Sequence, residues 1–167
     1  GGYFVDDTAR VGLASASRPF TRFGLGSADF DHDGWPDLYQ ANGRVVIASE
    51  RAPRSSDPYA EPNLLFAGWP EAHYRLVVLE GGVAEPLVHT SRGAAFGDLD
   101  GDGGVDIVVV NRDAFPYVLR NVAPKRGHWI RFRVLAACGR DALGAELRIE
   151  LGERTLRREV RSAYGYC

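Results

Sequence analysis

The sequence predicts an all-β protein: two copies of an antiparallel strand–loop–strand unit, followed by a smaller set of alternating strands. Three observations carry this. Shifting the chain by 69 residues lays GLGSADFDHDGWPDLYQAN (24–42) over GAAFGDLDGDGGVDIVVVN (93–111), with seven identities at fixed offsets. The segments flanking each aspartate cluster, GLGSADF and LYQAN in one copy and GAAFGDL and IVVVN in the other, are small, β-branched or aromatic and lack helical periodicity. Residues 128–161 alternate apolar and charged side chains.

With 167 residues, 45% hydrophobic and 25% charged, the chain is far too apolar to be disordered. No stretch approaches the roughly 18 apolar residues of a membrane span, so no transmembrane segment is expected. The opening GGYFVDD has neither the basic nor the apolar region of a signal peptide. The absence of any Met suggests a processed or partial chain. Net charge is −2 but uneven: residues 1–121 carry 10 Arg against 17 acids (−7), and residues 122–167 carry 10 Lys or Arg against 5 acids (+5). Eight of the N-terminal acids sit in two short clusters, so the acidity is local. The arginines near the C-terminus, Arg131, Arg133, Arg157 and Arg158, alternate with apolar residues as on the wet face of a strand, and nucleic acid is not an expected partner.

The clusters explain the repeat. Each copy reads D-x-D-x-D-G-x-x-D: Asp29, Asp31, Asp33 and Asp37 in residues 29–37, and Asp98, Asp100, Asp102 and Asp106 in residues 98–106. Four carboxylates in nine residues repel one another unless a cation joins them. Ca²⁺, a hard ion taking six to eight oxygens, suits carboxylates at positions 1, 3, 5 and 9 with a backbone carbonyl at position 7, here Trp35 and Gly104. Gly34 and Gly103, at position 6, permit the turn. Two Ca²⁺ sites are therefore expected. An EF-hand is excluded, because position 12 is Gln40 in one copy and Val109 in the other rather than a bidentate Glu. His32, at position 4, is expected to point away from the ion into solvent.

A calcium loop joining two strands, repeated at this spacing, resembles the FG-GAP/VCBS repeat of β-propellers. The two nineteen-residue segments carry the resemblance, with NLLF (63–66) and YVLRN (117–121) as the next strand of each blade, and YFVDDTARVGL (3–13) resembles that family's connector. Residues 128–166 are similar to the ASPIC/UnbV domain that follows such propellers, through His128, Trp129 and the run Arg140, Asp141, Ala142, Leu143, Gly144, Ala145. The resemblance implies two antiparallel propeller blades over residues 1–121 and a small, truncated, β-sandwich-like domain over 122–167. Read from the residues alone, the latter gives three strands with inner faces Ile130/Phe132/Val134, Ala145/Leu147/Ile149/Leu151 and Leu156/Val160, and turns at Gly139 and Gly152. Residues 140–145 read as a structural turn with Gly144 at positive φ, or as a binding loop.

Propellers close with typically four to eight blades, and two leave strand edges open. Other protein chains covering these edges, in a larger and membrane-associated assembly, are the expected partners. With both loops loaded the net charge becomes +2, which directs the basic strands toward an acidic partner or a lipid surface. The segment GRVVIASERAPRSSDPYAEP (43–62) reads as an insertion loop in which Tyr59, Arg51 and Arg54 could bind a partner, or as a plain surface loop. Trp35 and Trp69 read as packing residues. Cys138 and Cys167 could form a bridge in an oxidising compartment, and their pairing stays open.

No catalytic residue is assigned, since His32, His73, His89 and His128 are isolated and no nucleophile or zinc motif occurs. The expected function is a calcium-binding, extracytoplasmic (periplasmic or secreted) module for protein contacts or a structural accessory subunit. The alternative is an enzyme on a calcium-stabilised propeller, with the ion as Lewis acid and His32 as the only local base.

Overall fold

The computed structural model describes residues 2–46, 57–77, 80–124 and 127–162. Its sheets are antiparallel, and the helices among the described residues are one short α-helix, α1 (Ala14–Ser17), and two 3₁₀ turns at Pro70–Ala72 and Glu80–Gly82. Among the described residues, no helix is long and apolar enough to cross a membrane. The chain divides into Gly1–His128 and Trp129–Tyr164.

In the first unit, β1 (Arg22–Ala28), β2 (Asp37–Asn42), β4 (Leu64–Trp69) and β5 (His73–Leu76) form a four-stranded antiparallel sheet in that order. The second sheet is β7 (Ser91–Gly97), β8 (Asp106–Asn111) and β9 (Tyr117–Leu119). A short ladder of β3 (Glu61–Pro62) on β6 (Val88–His89) joins their ends. The 69-residue repeat holds in detail. β1–β2 pairs Ala28 with Asp37 and slips register between Arg22 and Gly24; β7–β8 pairs Gly97 with Asp106 and slips between Ser91 and Gly93.

Strand alternation sorts residues onto faces. Gly24, Gly26, Tyr39, Ala41 and Leu65 of the first sheet meet Ala94, Phe96, Ile107, Val109, Tyr117 and Leu119 of the second, with Phe30 and Val105 from the loops completing the core. Tyr39, Ala41 and Val109 are fully buried. The Phe96 ring lies against Phe30 and edge-on to Tyr39, at centroid distances of 6.3 and 6.2 Å. Two glycines set the spacing: a Cβ on Gly24 would lie 2.5 Å from the Ala94 nitrogen, and one on Gly26 2.0 Å from the Phe96 ring.

The opposite end of the sheets is held by a buried ion pair. Glu61 is 1% exposed, accepts from Thr21 N at 2.9 Å and pairs with Arg44 Nε at 3.0 Å. Arg92 lies over the Phe23 ring at 4.2 Å and donates to the Arg44 carbonyl at 2.8 Å. Tyr59, a binding candidate under one of the two readings of the 43–62 loop, stacks under Arg112 at 4.7 Å, while Arg51 and Arg54 lie outside the described residues. Trp69 is not a packing residue: it ends β4, is 57% exposed and lies under Arg75.

Among the described residues, the second unit carries one hairpin, β10 (Glu146–Leu151) and β11 (Arg154–Glu159), instead of three strands. Leu147, Ile149, Leu156 and Val160 are half-buried on the predicted face. Residues 130–134 form no ladder. Ala142 N bonds Val134 O and Ala136 N bonds Arg140 O, so the chain folds on itself through one bridge, Leu135–Asp141, and Ile130 and Phe132 stay exposed. Gly139, Gly144 and Gly152 all adopt positive φ, as their turns require. The strands are less basic in effect than in composition. Arg148 and Arg157 both pair with Glu146, and Arg161 pairs with Glu159 at 2.7 Å. Cys138 is exposed and Cys167 lies outside the described residues.

Gly24→Ala should lower stability by about 1–3 kcal/mol, because the new methyl meets backbone that yields only if the sheets separate. Gly26→Ala should cost less, since a ring can turn away, and Phe96→Leu should rescue it but not Gly24→Ala. Denaturant melts of the four variants check this order.

Candidate metal centres

Each loop bridges the first two strands of its sheet, between β1 and β2 and between β7 and β8. Their hydrogen bonds match position by position. Position 1 accepts from the position-6 glycine, Gly34 N to Asp29 Oδ2 at 2.9 Å and Gly103 N to Asp98 Oδ2 at 3.0 Å. Position 3 accepts from position 5, Asp33 N to Asp31 and Asp102 N to Asp100, both at 3.2 Å. Position 5 accepts from position 7, Trp35 N to Asp33 at 2.7 Å and Gly104 N to Asp102 at 2.8 Å. Gly34 and Gly103 hold φ of 88° and 90°, the conformation that only glycine adopts without strain.

Position 9 closes the loop. Asp37 Oδ2 accepts from Phe30 N at 2.9 Å and its Oδ1 from Gly68 N at 2.8 Å. Asp106 repeats this with Leu99 N and Asn121 N, both at 2.8 Å. Both carboxylates are buried, at 5% and 1% exposure. Gly68, within β4, and Asn121, two residues beyond β9, are partners that the motif itself does not indicate. An isolated glycine inside a strand was the available signal, since a Cβ on Gly68 would lie 2.3 Å from the Pro36 carbonyl.

Each loop thus brings three carboxylates together: Asp29, Asp31 and Asp37 in the first, Asp98, Asp100 and Asp106 in the second, each triad with ligand atoms within 4.8 Å of one another. Both triads grade from a buried position 9 through a half-buried position 1 to an exposed position 3. Asp33 and Asp102 stand outside the triads, holding the amides of Trp35 and Gly104, whose carbonyls were the expected backbone ligands.

The donors fit a hard cation. Every side chain in the triads is a carboxylate, and Asp29 Oδ1 is buried without a hydrogen-bond partner, an arrangement that costs energy unless something positive meets it. Burial pushes the Asp37 carboxyl up to about 6, against bonds from Gly68 and Phe30 that pull it down. Burial also raises Asp29, and its neighbours Asp33 and Asp31 add to the rise. The loops differ at two ligands: Asp98 Oδ1 accepts from Gly101 N at 2.8 Å where the equivalent Asp29 Oδ1 has no partner, and Arg120 lies 3.8 Å from Asp100.

His32 is not a solvated side chain. It is half-buried, its Nδ1 is enclosed without a partner, and it takes φ of 57° where the second loop uses Gly101 at 80°. Gly127 lies against its backbone, donating to the Asp31 carbonyl at 3.2 Å, and a Cβ on Gly127 would lie 2.2 Å from the His32 carbonyl.

Comparison of the chain with protein-family models, with curated proteins and with solved structures gave no match.

The Asp37 shift has a definite sign. A carboxyl whose folded-state value is raised from 3.8 to about 6 contributes stability that is fully present below 3.8 and is lost as pH rises through about 6. In metal-free buffer, the stability of the wild type relative to Asp37→Asn should therefore fall between pH 4 and pH 7. Paired denaturant melts measure it, and a difference that is flat or grows toward neutral pH contradicts the burial of this charge.

Proposed function

We propose that the protein is a calcium-binding β-module that acts through protein contacts, as an interaction or structural accessory subunit of an extracytoplasmic assembly. The observation that carries the reading is the paired carboxylate triads with their matching hydrogen-bond sets, one of them holding a buried carboxylate oxygen that lacks a partner. Oxygen-only donors on a loop with a position-6 glycine suit Ca²⁺, whose six to eight ligands would be completed by water and by the Trp35 and Gly104 carbonyls. The two sheets are read as blades of the FG-GAP/VCBS type, and residues 122–167 as an ASPIC/UnbV-like domain, on the motifs in the sequence.

The partner reading is supported by a face more than by the open edges. Under the 69-residue shift and the strand register, Gly26, Tyr39, Ala41 and Leu65 correspond to Ala95, Val108, Val110 and Val118. The first set is where the first sheet packs on the second. Of the second set, Ala95 is exposed, Val110 is 53% exposed and Val118 64%. β8, Asp-Ile-Val-Val-Val-Asn, is apolar on both faces, the pattern of a strand covered on both sides. A further β-sheet is the partner surface that matches it, and it must bring less bulk than Phe96, because Ala95 fills the space that Gly26 leaves.

Chelation tests the metal reading. A ligand at 100 times its Kd stabilises by about 2.7 kcal/mol per site, so EGTA should lower the melting temperature and Ca²⁺ should restore it. Asp31→Ala and Asp100→Ala should each remove one bound ion by elemental analysis, and a melt indifferent to EGTA with no bound calcium would sink the reading. The face makes a separate demand. Val110→Glu should change the stability of the isolated chain by less than about 0.5 kcal/mol, whereas Ala41→Glu at the equivalent position buries a charge and should unfold it.

A further inference from the structure

We infer that Asn121 is a positioning residue shared by both metal centres, coupling cation binding at one loop to binding at the other. The inference rests on the reading that both loops hold Ca²⁺. It starts from what Asn121 touches. Its backbone N–H donates to Asp106 Oδ1 at 2.8 Å, holding the position-9 carboxylate of the second loop. Its side-chain Nδ2 donates to the Phe30 carbonyl at 2.8 Å, inside the first loop, and to the Val105 carbonyl at 3.3 Å, inside the second. The Phe30 N–H in turn donates to Asp37 Oδ2 at 2.9 Å, holding the position-9 carboxylate of the first loop. Three hydrogen bonds therefore join the two buried carboxylates through the backbone of Phe30 and the body of Asn121: Asp37 to the Phe30 N–H, the Phe30 carbonyl to the Asn121 side chain, and the Asn121 N–H to Asp106.

The repeat shows that this link is not generic to the fold. The ladder position that corresponds to Asn121 in the first sheet is Gly68, whose N–H holds Asp37 in the same way but which has no side chain to reach elsewhere. The amide at 121 is thus an addition to a shared design, and its own orientation is fixed because its Oδ1 accepts from Ala123 N at 3.0 Å. A cation drawing Asp106 into its ligand sphere fixes the Asn121 backbone, which fixes the amide against the Phe30 carbonyl and, across the Phe30 Cα, restrains the N–H that orients Asp37. The second ion then enters a loop already ordered, and by reciprocity the effect is the same in either direction.

Binding measured on the full chain tests this. Trp35 lies inside the first loop, so Trp-sensitised Tb³⁺ luminescence reports that site, and calcium calorimetry reports both. Disabling the second loop with Asp100→Ala should weaken Tb³⁺ and Ca²⁺ at the first by about fivefold or more, the lower range of coupling between sites. In Asn121→Ala or Asn121→Asp, each of which removes the Nδ2 donor and keeps the backbone N–H, each loop should still bind, but Asp100→Ala should then change the first loop's affinity by less than about twofold. Hydrogen exchange needs no change at Asn121. In Asp31→Ala, where only the second loop can load, calcium should raise protection of the Phe30 amide several-fold. Equal coupling with and without the Asn121 amide, or Phe30 protection indifferent to calcium, overturns the inference while leaving the metal reading intact. Failure of both loops to bind calcium overturns the two together.

Discussion

The structure of the first unit depends on two carboxylates that have been taken out of water. Asp37 and Asp106 each place one oxygen on an amide at the start of their own loop and the other on an amide in or just beyond the third strand of their sheet, Gly68 and Asn121. A buried charge is tolerated only when hydrogen-bonded, and removing one partner costs the desolvation of the rest. So the loop cannot open without stranding a charge, and the third strand cannot shift register without doing the same. Aspartate suits the position because its side chain is short: it reaches both amides with few torsions to freeze. The metal triad is built on this pin, with position 9 as its fixed corner and the exposed position 3 as the corner open to solvent.

That pin also explains how the two sheets come to share one core. Phe30, whose amide is held by Asp37, turns its ring into the cluster with Phe96, Tyr39, Ile107 and Val109. The loop that gathers the carboxylates therefore supplies part of the apolar seal between the sheets. At the far end the buried Arg44–Glu61 pair and the Arg92 stack on Phe23 close the same interface by polar means. A buried pair of this kind adds little net stability but is costly to break, so it fixes which arrangement forms more than how stable it is. Pinned carboxylates, apolar contacts and a salt bridge thus hold the same pair of sheets at three heights.

The sequence was most legible where cause and effect lie close together. The aspartate spacing and the position-6 glycines act within nine residues, and the repeat reports register because both copies use the same bulge. Alternation placed Leu147, Ile149, Leu156 and Val160 on one face of the hairpin. What failed needed a neighbour. Ile130, Phe132 and Val134 alternate correctly, but alternation makes a strand only if an edge is there to pair with, and the bonds near them close a tight turn instead. Gly68 and Asn121 act on carboxylates 31 and 15 residues away, through a register that no local pattern states. His32 takes its positive φ and its enclosure from a loop backed by Gly127, which its own position in the motif does not reveal.

The balance of forces in the loops fixes what a cation can contribute. Carboxylates about 4.8 Å apart repel by about 3–4 kcal/mol per pair at the effective dielectric of a protein surface. Hydrogen bonds to charged groups are worth about 1.5–3 kcal/mol each, and the first triad receives four from the backbone: Gly34, Asp33, Phe30 and Gly68. The two sums are of the same size, so the amides offset the repulsion without a surplus, and the metal-free loop is held only marginally in its shape. An ion that binds the folded loop supplies that surplus, ordering the loop and stabilising the fold by the same free energy. What the amides cannot supply is a partner for Asp29 Oδ1, which is enclosed where no N–H reaches it. That atom is where the first triad retains an uncompensated cost, and a cation, or a proton on the raised Asp29 carboxyl, relieves it.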